Sequence, residues 1–173
     1  MKVVFQIFSI IIVTIGLFAP WANATSGSDK LKATIQQLGE EAVTAPGYNK
    51  GLVRHIVLFR YKDNVTGDQK IEIKKRFLAL ASECNRNGKR YVLSIETGAQ
   101  NSGEGVDQEL EQGFIVTFKS EGDRNYYVGR DLIQREGNFD PAHDAFKKFV
   151  GPFLHEPISP TGVLVFDFDT NSK

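Results

Sequence analysis

The fold of this chain is decided by the stretch LVRHIVLFRY at residues 52–61. It is rich in β-branched and aromatic residues and has the length of a single strand. The same composition predicts strands at 52–61, 90–96, 113–118 and 162–168. Apolar residues at helical spacing predict helices at 67–87 and 121–131, and another that begins at Asp140. The order is β-α-β-β-α-β with a divided second helical element, which predicts an α+β, ferredoxin-like fold with an antiparallel sheet.

The predicted strands are apolar on both faces. An antiparallel sheet with one solvent-exposed face should alternate apolar and polar residues. Residues 56–59, 114–116 and 163–166 lack this alternation. The helices of such a fold cover only one face, so the other face needs a second cover. A homodimer that packs two sheets together is the simplest solution. The alternative is that an N-terminal helix folds over the second face.

The first 24 residues have the features of a secretory signal peptide. Lys2 precedes an apolar stretch that runs to Ala19, and small residues follow at Ala22 and Ala24. Cleavage after Ala24 predicts a periplasmic or secreted protein with no membrane attachment. An uncleaved membrane anchor is the alternative.

The remaining chain divides into an extension at 25–51, a domain at 52–169 and a tail at 170–173. In the extension, Leu31, Ile35, Leu38 and Ala42 recur at helical spacing and predict an amphipathic helix that ends before Pro46.

Charge and cysteine content limit the possible functions. The chain has 21 Lys and Arg residues against 21 Asp and Glu residues, and this balance gives no basic patch for nucleic acid. Cys84 is the single cysteine, so an intrachain disulfide is excluded. We interpret Cys84 as a small core residue, with a reactive thiol as the alternative.

The segment that begins at Asp140 carries a candidate site. Asp140 is a suitable N-cap and Pro141 suits the first helical position. At 100° per residue, His143 falls beside an apolar stripe, and Lys147 and Lys148 fall opposite it. The stripe consists of Ala142, Phe146, Phe149, Val150 and Phe153. A histidine half-turned toward the core at a helix N-terminus is expected to be neutral.

These segments together resemble the stress-responsive dimeric α/β barrel domain family, and the pattern is similar to that of its bacterial members. The resemblance rests on residues 54–59, 113–118, 123–127, 140–146, 150–152 and 163–168. It implies a ferredoxin-like unit whose sheet pairs with that of a second copy. Most activities in the family are unassigned, but one plant member is a polyketide cyclase that closes a ring by aldol condensation. By position, its catalytic residues correspond to Tyr127, His143 and Asp167, and Asp167 is expected to hold His143. A pocket histidine of that enzyme corresponds to His55.

Strand alternation indicates where a ligand would bind. His55, Val57 and Phe59 share one strand face, and that face is expected to meet Ile73 and Phe77 of the first domain helix. The result would be a small apolar pocket with polar groups at one end. Aldol chemistry there would use His143 as the base and the Tyr127 hydroxyl as the donor to an enolate oxygen.

The sequence is compatible with several alternatives. The His143–Asp167 pair can equally be a structural bond that joins helix to sheet. Relative to the cyclase-like pattern, Gln112 and Lys74 replace a histidine and an aromatic residue, and 131–139 is inserted. No cofactor is predicted, and no metal either, because Asp167 and Asp169 are too few ligands for a cation. Three functions remain: a dimeric barrel that binds a small apolar or carbonyl ligand, a lyase or cyclase, and a non-catalytic interaction module.

Overall fold

The computed structural model describes residues 26–170. The predicted signal peptide and cleavage site lie outside the described residues. The helices are α1 Gly27–Leu38, α2 Glu40–Thr44, α3 Gly67–Glu83, α4 Glu121–Val128 and α5 Pro141–Val150. The strands are β1 Lys50–Phe59, β2 Asn85–Arg86, β3 Lys89–Arg90, β4 Ser94–Ala99, β5 Gln112–Ser120 and β6 Val163–Asp169. Within the described residues, no helix has both the length and the apolar character needed to cross a bilayer.

Four strands form one sheet in the order β4-β5-β1-β6. Strand β1 is central and pairs antiparallel with both β5 and β6, and β4 pairs antiparallel with β5. This is the ferredoxin-like topology, and it confirms the predicted fold class. The register places His55 opposite Val116 on one side and opposite Asp167 on the other.

Helices α3, α4 and α5 lie over one face of the sheet, and α3 and α4 contact its strands directly. Burial alternates along β1, and Val53, His55, Val57 and Phe59 are buried on this face. Aromatic rings fill the layer between sheet and helices, and the Phe77 and Phe114 rings stack with their centroids 3.8 Å apart. Cys84 is fully buried here and burial raises the pKa of its thiol, which agrees with its interpretation as a core residue.

Helix α3 is shorter than predicted. It ends at Glu83, whereas the sequence pattern predicted that Asn87 and Gly88 would close it. Instead, these two residues form the turn of a small hairpin between β2 and β3, with φ values of 53° and 75°. Asn-Gly with both φ values positive is the preferred two-residue hairpin turn. The same two residues can also end a helix, but here they form the hairpin turn.

The N-terminal extension forms two helices rather than one, because the chain turns at Gly39. Helix α2 packs against α4 on the helical side of the sheet, and α1 packs against α2. The alternative that this extension covers the second face of the sheet is therefore wrong. The packing of α2 is close, since a Cβ on Gly122 of α4 would lie 1.9 Å from the carbonyl oxygen of Ala45.

The second face of the sheet is largely apolar and faces away from α3, α4 and α5. Ile56, Leu58 and Leu164 are half-buried on it, whereas Phe166 and Phe168 are 59% and 43% exposed. We call this surface the outer face. An apolar surface of this kind is typical of an interface.

Candidate functional site

A cavity of 820 Å³ lies between the helical face of the sheet and helices α4 and α5. This volume is within the range of small-molecule sites. One part of its wall is aromatic and aliphatic, formed by Val57, Phe59, Phe77, Phe146, Val150 and Leu154. Another part is polar, formed by His55, Arg124, Asp131, His143, Lys147 and Asp167. The cavity wall therefore combines apolar and ionisable side chains.

His143 is fixed in the first turn of α5. Asp140 accepts hydrogen bonds from the backbone N–H groups of Ala142 and His143 at 2.8 and 3.3 Å, which confirms the predicted N-cap. The imidazole Nδ1 lies 2.6 Å from the backbone carbonyl oxygen of Tyr127. A carbonyl oxygen only accepts, so Nδ1 carries the proton and Nε2 of the neutral ring is an acceptor.

The environment keeps His143 neutral. Burial lowers the pKa of its imidazole to about 3, and the charge of Lys147 acts in the same direction. Within the described residues, Nε2 has no hydrogen-bond partner, and His143 lines the cavity. The ring thus holds its proton at Nδ1 and keeps the Nε2 lone pair as an acceptor.

Asp167 pairs with His55 and not with His143. Its Oδ1 lies 2.7 Å from Nδ1 of His55, its cross-strand neighbour, and Oδ2 accepts from Arg124 of α4. Burial opposes ionisation of the carboxyl, but the hydrogen bond from His55 and the Arg124 charge outweigh it and lower its pKa. The predicted Asp167–His143 bond is wrong, because Asp167 lies directly opposite His55 in the sheet and Nδ1 of His143 bonds to the backbone oxygen of Tyr127 instead.

Tyr127 has a different role from the one predicted. Its ring stacks on His143 with centroids 3.8 Å apart, but the residue does not line the cavity. Its hydroxyl is buried without a hydrogen-bond partner in the described residues, and burial raises its pKa well above the usual value. The structure therefore brings the ring and carbonyl of Tyr127 to His143, but it does not bring the hydroxyl into the cavity.

Four of the five residues predicted to bind a ligand line the cavity. His55, Val57 and Phe59 do so from β1, and Phe77 does so from α3. Ile73 is fully buried in the core and does not line the cavity. It lies one helical turn before Phe77, on the same face of α3, where the helix packs directly on the sheet.

Two cationic residues of the cavity wall were missed by the sequence reasoning. Lys147 was placed opposite the apolar stripe, but its ammonium donates to the carbonyl oxygens of Val128 and Arg130 at 3.0 and 3.2 Å, at the end of α4. Cations are favoured at a helix C-terminus, which draws this side chain inward. Helical spacing could have indicated both residues, because side chains three or four positions apart lie on the same side of a helix. Lys147 follows His143 by four residues, and Arg124 precedes Tyr127 by three.

A buried hydrogen bond between Tyr91 and Asp140 holds the N-cap of α5 in place. The Tyr91 hydroxyl donates to Oδ2 of Asp140 at 2.6 Å, while Oδ1 of Asp140 caps α5. Both residues are buried. Tyr91 thus fixes the carboxylate that sets the start of α5 and, with it, the position of His143.

This arrangement can accept a hydrogen bond from a ligand at Nε2 of His143. It can also present His55, with Nδ1 held by a carboxylate, as a second polar group. Histidine oriented by aspartate is a general arrangement for proton transfer. Among the described residues, no three His, Cys, Asp or Glu side chains form a group that could hold a metal ion.

Comparison with solved structures identifies related folds. A protein from Arabidopsis thaliana aligns with a TM-score of 0.54 and 23% identity, covering 70% of this chain and 97% of its own. A hydroxynitrile lyase from Passiflora edulis aligns with a TM-score of 0.53 and 19% identity over 72% of this chain and 97% of its own. A dimeric ferredoxin-like protein of unknown function from Jannaschia sp. aligns with a TM-score of 0.52 and 18% identity over 69% of this chain and 99% of its own.

In sequence, no curated protein matches the chain. A family profile does match, over residues 53–170, which is most of the chain and all of the four-stranded sheet except the first three residues of β1. The chain belongs to the stress responsive A/B barrel domain family.

Proposed function

We propose that this protein binds a small, mostly apolar ligand that carries a hydroxyl or carbonyl group. The observation that supports the proposal is the cavity, whose wall is largely apolar and includes neutral His143 with Nε2 as an acceptor. A hydroxyl group of the ligand would donate to Nε2. Arg124 and Lys147 line the same region and would favour a carbonyl oxygen.

A matched pair of probes tests this proposal. The first is 2-naphthol, which has a hydroxyl donor, and the second is 2-methoxynaphthalene, which has the same ring system without the donor. We expect 2-naphthol to bind about tenfold more tightly, since one hydrogen bond contributes about 1.4 kcal/mol. His143→Leu should remove this preference and leave the affinity for 2-methoxynaphthalene unchanged.

Two controls separate binding in the cavity from binding elsewhere. Val57→Trp adds bulk to the apolar wall and should reduce the affinity for both probes. Ile71→Trp places the same residue on the exposed side of α3, where Ile71 is 59% exposed, and should change neither. Binding that survives Val57→Trp, or the absence of binding by either probe, would contradict the proposal.

A lyase or cyclase is the second candidate, and it is favoured by the His55–Asp167 pair in the cavity wall. His55 would take a proton from a substrate hydroxyl or from a carbon next to a carbonyl, and Asp167 would hold the ring. Mandelonitrile is a suitable substrate for the test. Loss of its hydroxyl proton to His55 would break the bond to the nitrile carbon, giving benzaldehyde and cyanide, and the cyanide would take up the proton.

Benzaldehyde formation should then fall at least about 100-fold in His55→Ala, with Arg60→Ala as a control outside the cavity. Activity that persists in His55→Ala, or none in the wild type over background, would count against this candidate and leave ligand binding intact.

The assembly we propose is a homodimer formed through the outer face. Its exposed apolar residues, above all Phe166 and Phe168, support this assembly, because two such faces would bury each other about a two-fold axis. The dimeric Jannaschia protein has the same fold and lends further support. Light scattering should give twice the chain mass for the wild type and the single mass for Phe166→Lys. As a control, Ile71→Lys changes a residue of α3 that is as exposed as Phe166, and this variant should remain a dimer. A monomeric wild type at micromolar concentration would contradict the proposal.

We also propose export with removal of residues 1–24, supported by the basic, apolar and small-residue pattern of that segment. Expression in a bacterial host should give a periplasmic protein that begins at Thr25, as measured by N-terminal sequencing. Ala24→Arg should prevent this cleavage. Full-length wild-type protein in the cytoplasm would contradict export.

A further inference from the structure

Helix α1 lies outside the family match but reaches the cavity. The match begins at residue 53, whereas α1 ends at Leu38. Gly27, Ser28 and Leu31 of α1 are nevertheless part of the cavity lining. This chain therefore adds a wall to the cavity that the family domain does not contain.

Helix α2, which follows, is firmly attached. The Glu40 carboxylate accepts from the backbone N–H groups of Gln134 and Arg135 at 3.0 and 2.8 Å. The Asn125 side chain of α4 donates to the Val43 carbonyl at 2.8 Å, and both residues are buried. These bonds fix α2 to the core and to the segment between α4 and α5.

Helix α1 is attached far more weakly. It contains no buried residue, and its contacts with the core come from the partly buried side chains of Leu31 and Ile35. These two side chains rest on a small apolar cluster formed by Val43, Ile133 and Phe139. An isolated helix of this length is marginal in water, so its order depends on these few contacts.

Gly39 is the single residue that joins the two helices. Its φ of 84° and ψ of 159° are accessible to glycine and strongly disfavoured for other residues, and a Cβ there would meet no atom within 4 Å. Glycine's wide choice of backbone angles allows α1 to change direction while α2 stays in place. Hinges of moving segments are commonly a few residues of this kind.

We propose that α1 is a cap on the cavity, which docks through Leu31 and Ile35, undocks about Gly39, and thereby controls the entry and exit of the ligand. The proposal rests on the proposed function, because it assigns regulation of the same cavity. It predicts that ligand exchange is limited by α1, and that the bound ligand holds α1 in place.

The first test is amide hydrogen exchange on the full chain, which requires no ligand. Amides of α1 should exchange together and at least about tenfold faster than those of α2 and α4, as expected for a segment that opens as a unit. Saturating 2-naphthol should slow the exchange of α1. If α1 exchanges as slowly as α2 in the free protein, the cap is overturned, whether or not any ligand binds.

The second test is the rate of 2-naphthol binding, measured by stopped-flow fluorescence. The double variant Leu31→Ser/Ile35→Ser removes the docking side chains and should raise the association and dissociation rates by about fivefold or more. Leu38→Ser changes an exposed leucine of the same helix, 56% exposed, and should leave both rates unchanged.

The outcomes separate the two proposals. Binding with rates that are the same in the wild type and the double variant overturns the cap and leaves the proposed function standing. Absence of 2-naphthol binding overturns the proposed function, and hydrogen exchange of the free protein then decides whether α1 opens.

Discussion

Asp167 of β6 binds His55 of β1, with 2.7 Å between Oδ1 and Nδ1, while its other carboxylate oxygen accepts from Arg124. The pair joins the edge strand of the sheet to the central strand and to α4. It also fixes one of the two histidines of the cavity, whereas the other, His143, is fixed by the backbone of Tyr127.

Replacing Asp167 should destabilise the fold. Asp167→Asn removes the negative charge that His55 and Arg124 share, and it leaves the Arg124 guanidinium, 20% exposed, without its closest counter-charge. We expect the free energy of unfolding, measured in urea, to fall by about 2 kcal/mol. Glu156→Gln removes an exposed carboxylate paired with Lys62 and should leave the free energy unchanged, since exposed pairs contribute little. Equal effects of the two changes would show that the Asp167 pair has no special structural role.

His143 should make stability depend on pH. Its pKa is lowered to about 3 in the folded protein, mainly by burial, from 6.5 in the unfolded chain. Below pH 6.5 the unfolded state binds a proton that the folded state does not, so stability falls as the pH falls toward 3. Between pH 7 and pH 5 this amounts to about 2 kcal/mol.

The variant His143→Gln tests this dependence, because glutamine does not titrate. We measure the free energy of unfolding in urea at pH 7 and at pH 5. The decrease between the two pH values should be about 2 kcal/mol smaller for the variant than for the wild type. The lowered pKa of Asp167 contributes only below this window, as its carboxyl stays ionised there. The same pH dependence in both proteins would contradict neutral, buried His143.

Tyr91 should affect the site from a distance. Tyr91→Phe deletes the hydroxyl that donates to Asp140 and leaves a buried carboxylate oxygen without that donor. We expect a loss of about 1–3 kcal/mol in unfolding free energy and weaker 2-naphthol binding, because Asp140 also caps the helix that carries His143. Tyr48→Phe, at a half-buried position in the turn after α2, is the control. Unchanged stability and binding in Tyr91→Phe would rule out this supporting role.

The contact between α2 and α4 depends on a glycine. Gly122→Ala would place Cβ 1.9 Å from the carbonyl oxygen of Ala45, so the two segments must separate. Thermal unfolding should report a loss of about 2–3 kcal/mol. Gly67→Ala, where Cβ would meet nothing within 4 Å, should be neutral or stabilising because alanine favours helix. A tolerated Gly122→Ala would mean that α2 is not held closely against α4.

Periodicity along the chain determined the fold. The apolar stretch of β1 and the helical spacing of Ile73, Phe77 and Leu80 depend on local geometry, and both appear in the structure as predicted. The N-cap at Asp140 was equally predictable, since it involves residues two and three positions away. Features that depend on neighbours in sequence can be deduced from sequence.

The partners of the site residues could not be deduced in this way. Asp167 and His55 are 112 residues apart, and only the register between β6 and β1 brings them together. The Lys147 side chain points inward because its ammonium donates to the Val128 carbonyl at the end of α4, which only the packing of the two helices brings close. The buried hydroxyl of Tyr127 depended on the packing of its ring on His143.

Backbone periodicity thus predicts the order of the four sheet strands and of α3, α4 and α5, the buried face of β1 and the position of His143 on α5. The tertiary structure decided which carboxylate holds which histidine, which side chains enter the cavity, and that α1 reaches its wall. Those features follow from strand register and helix docking, which bring together residues far apart in the chain.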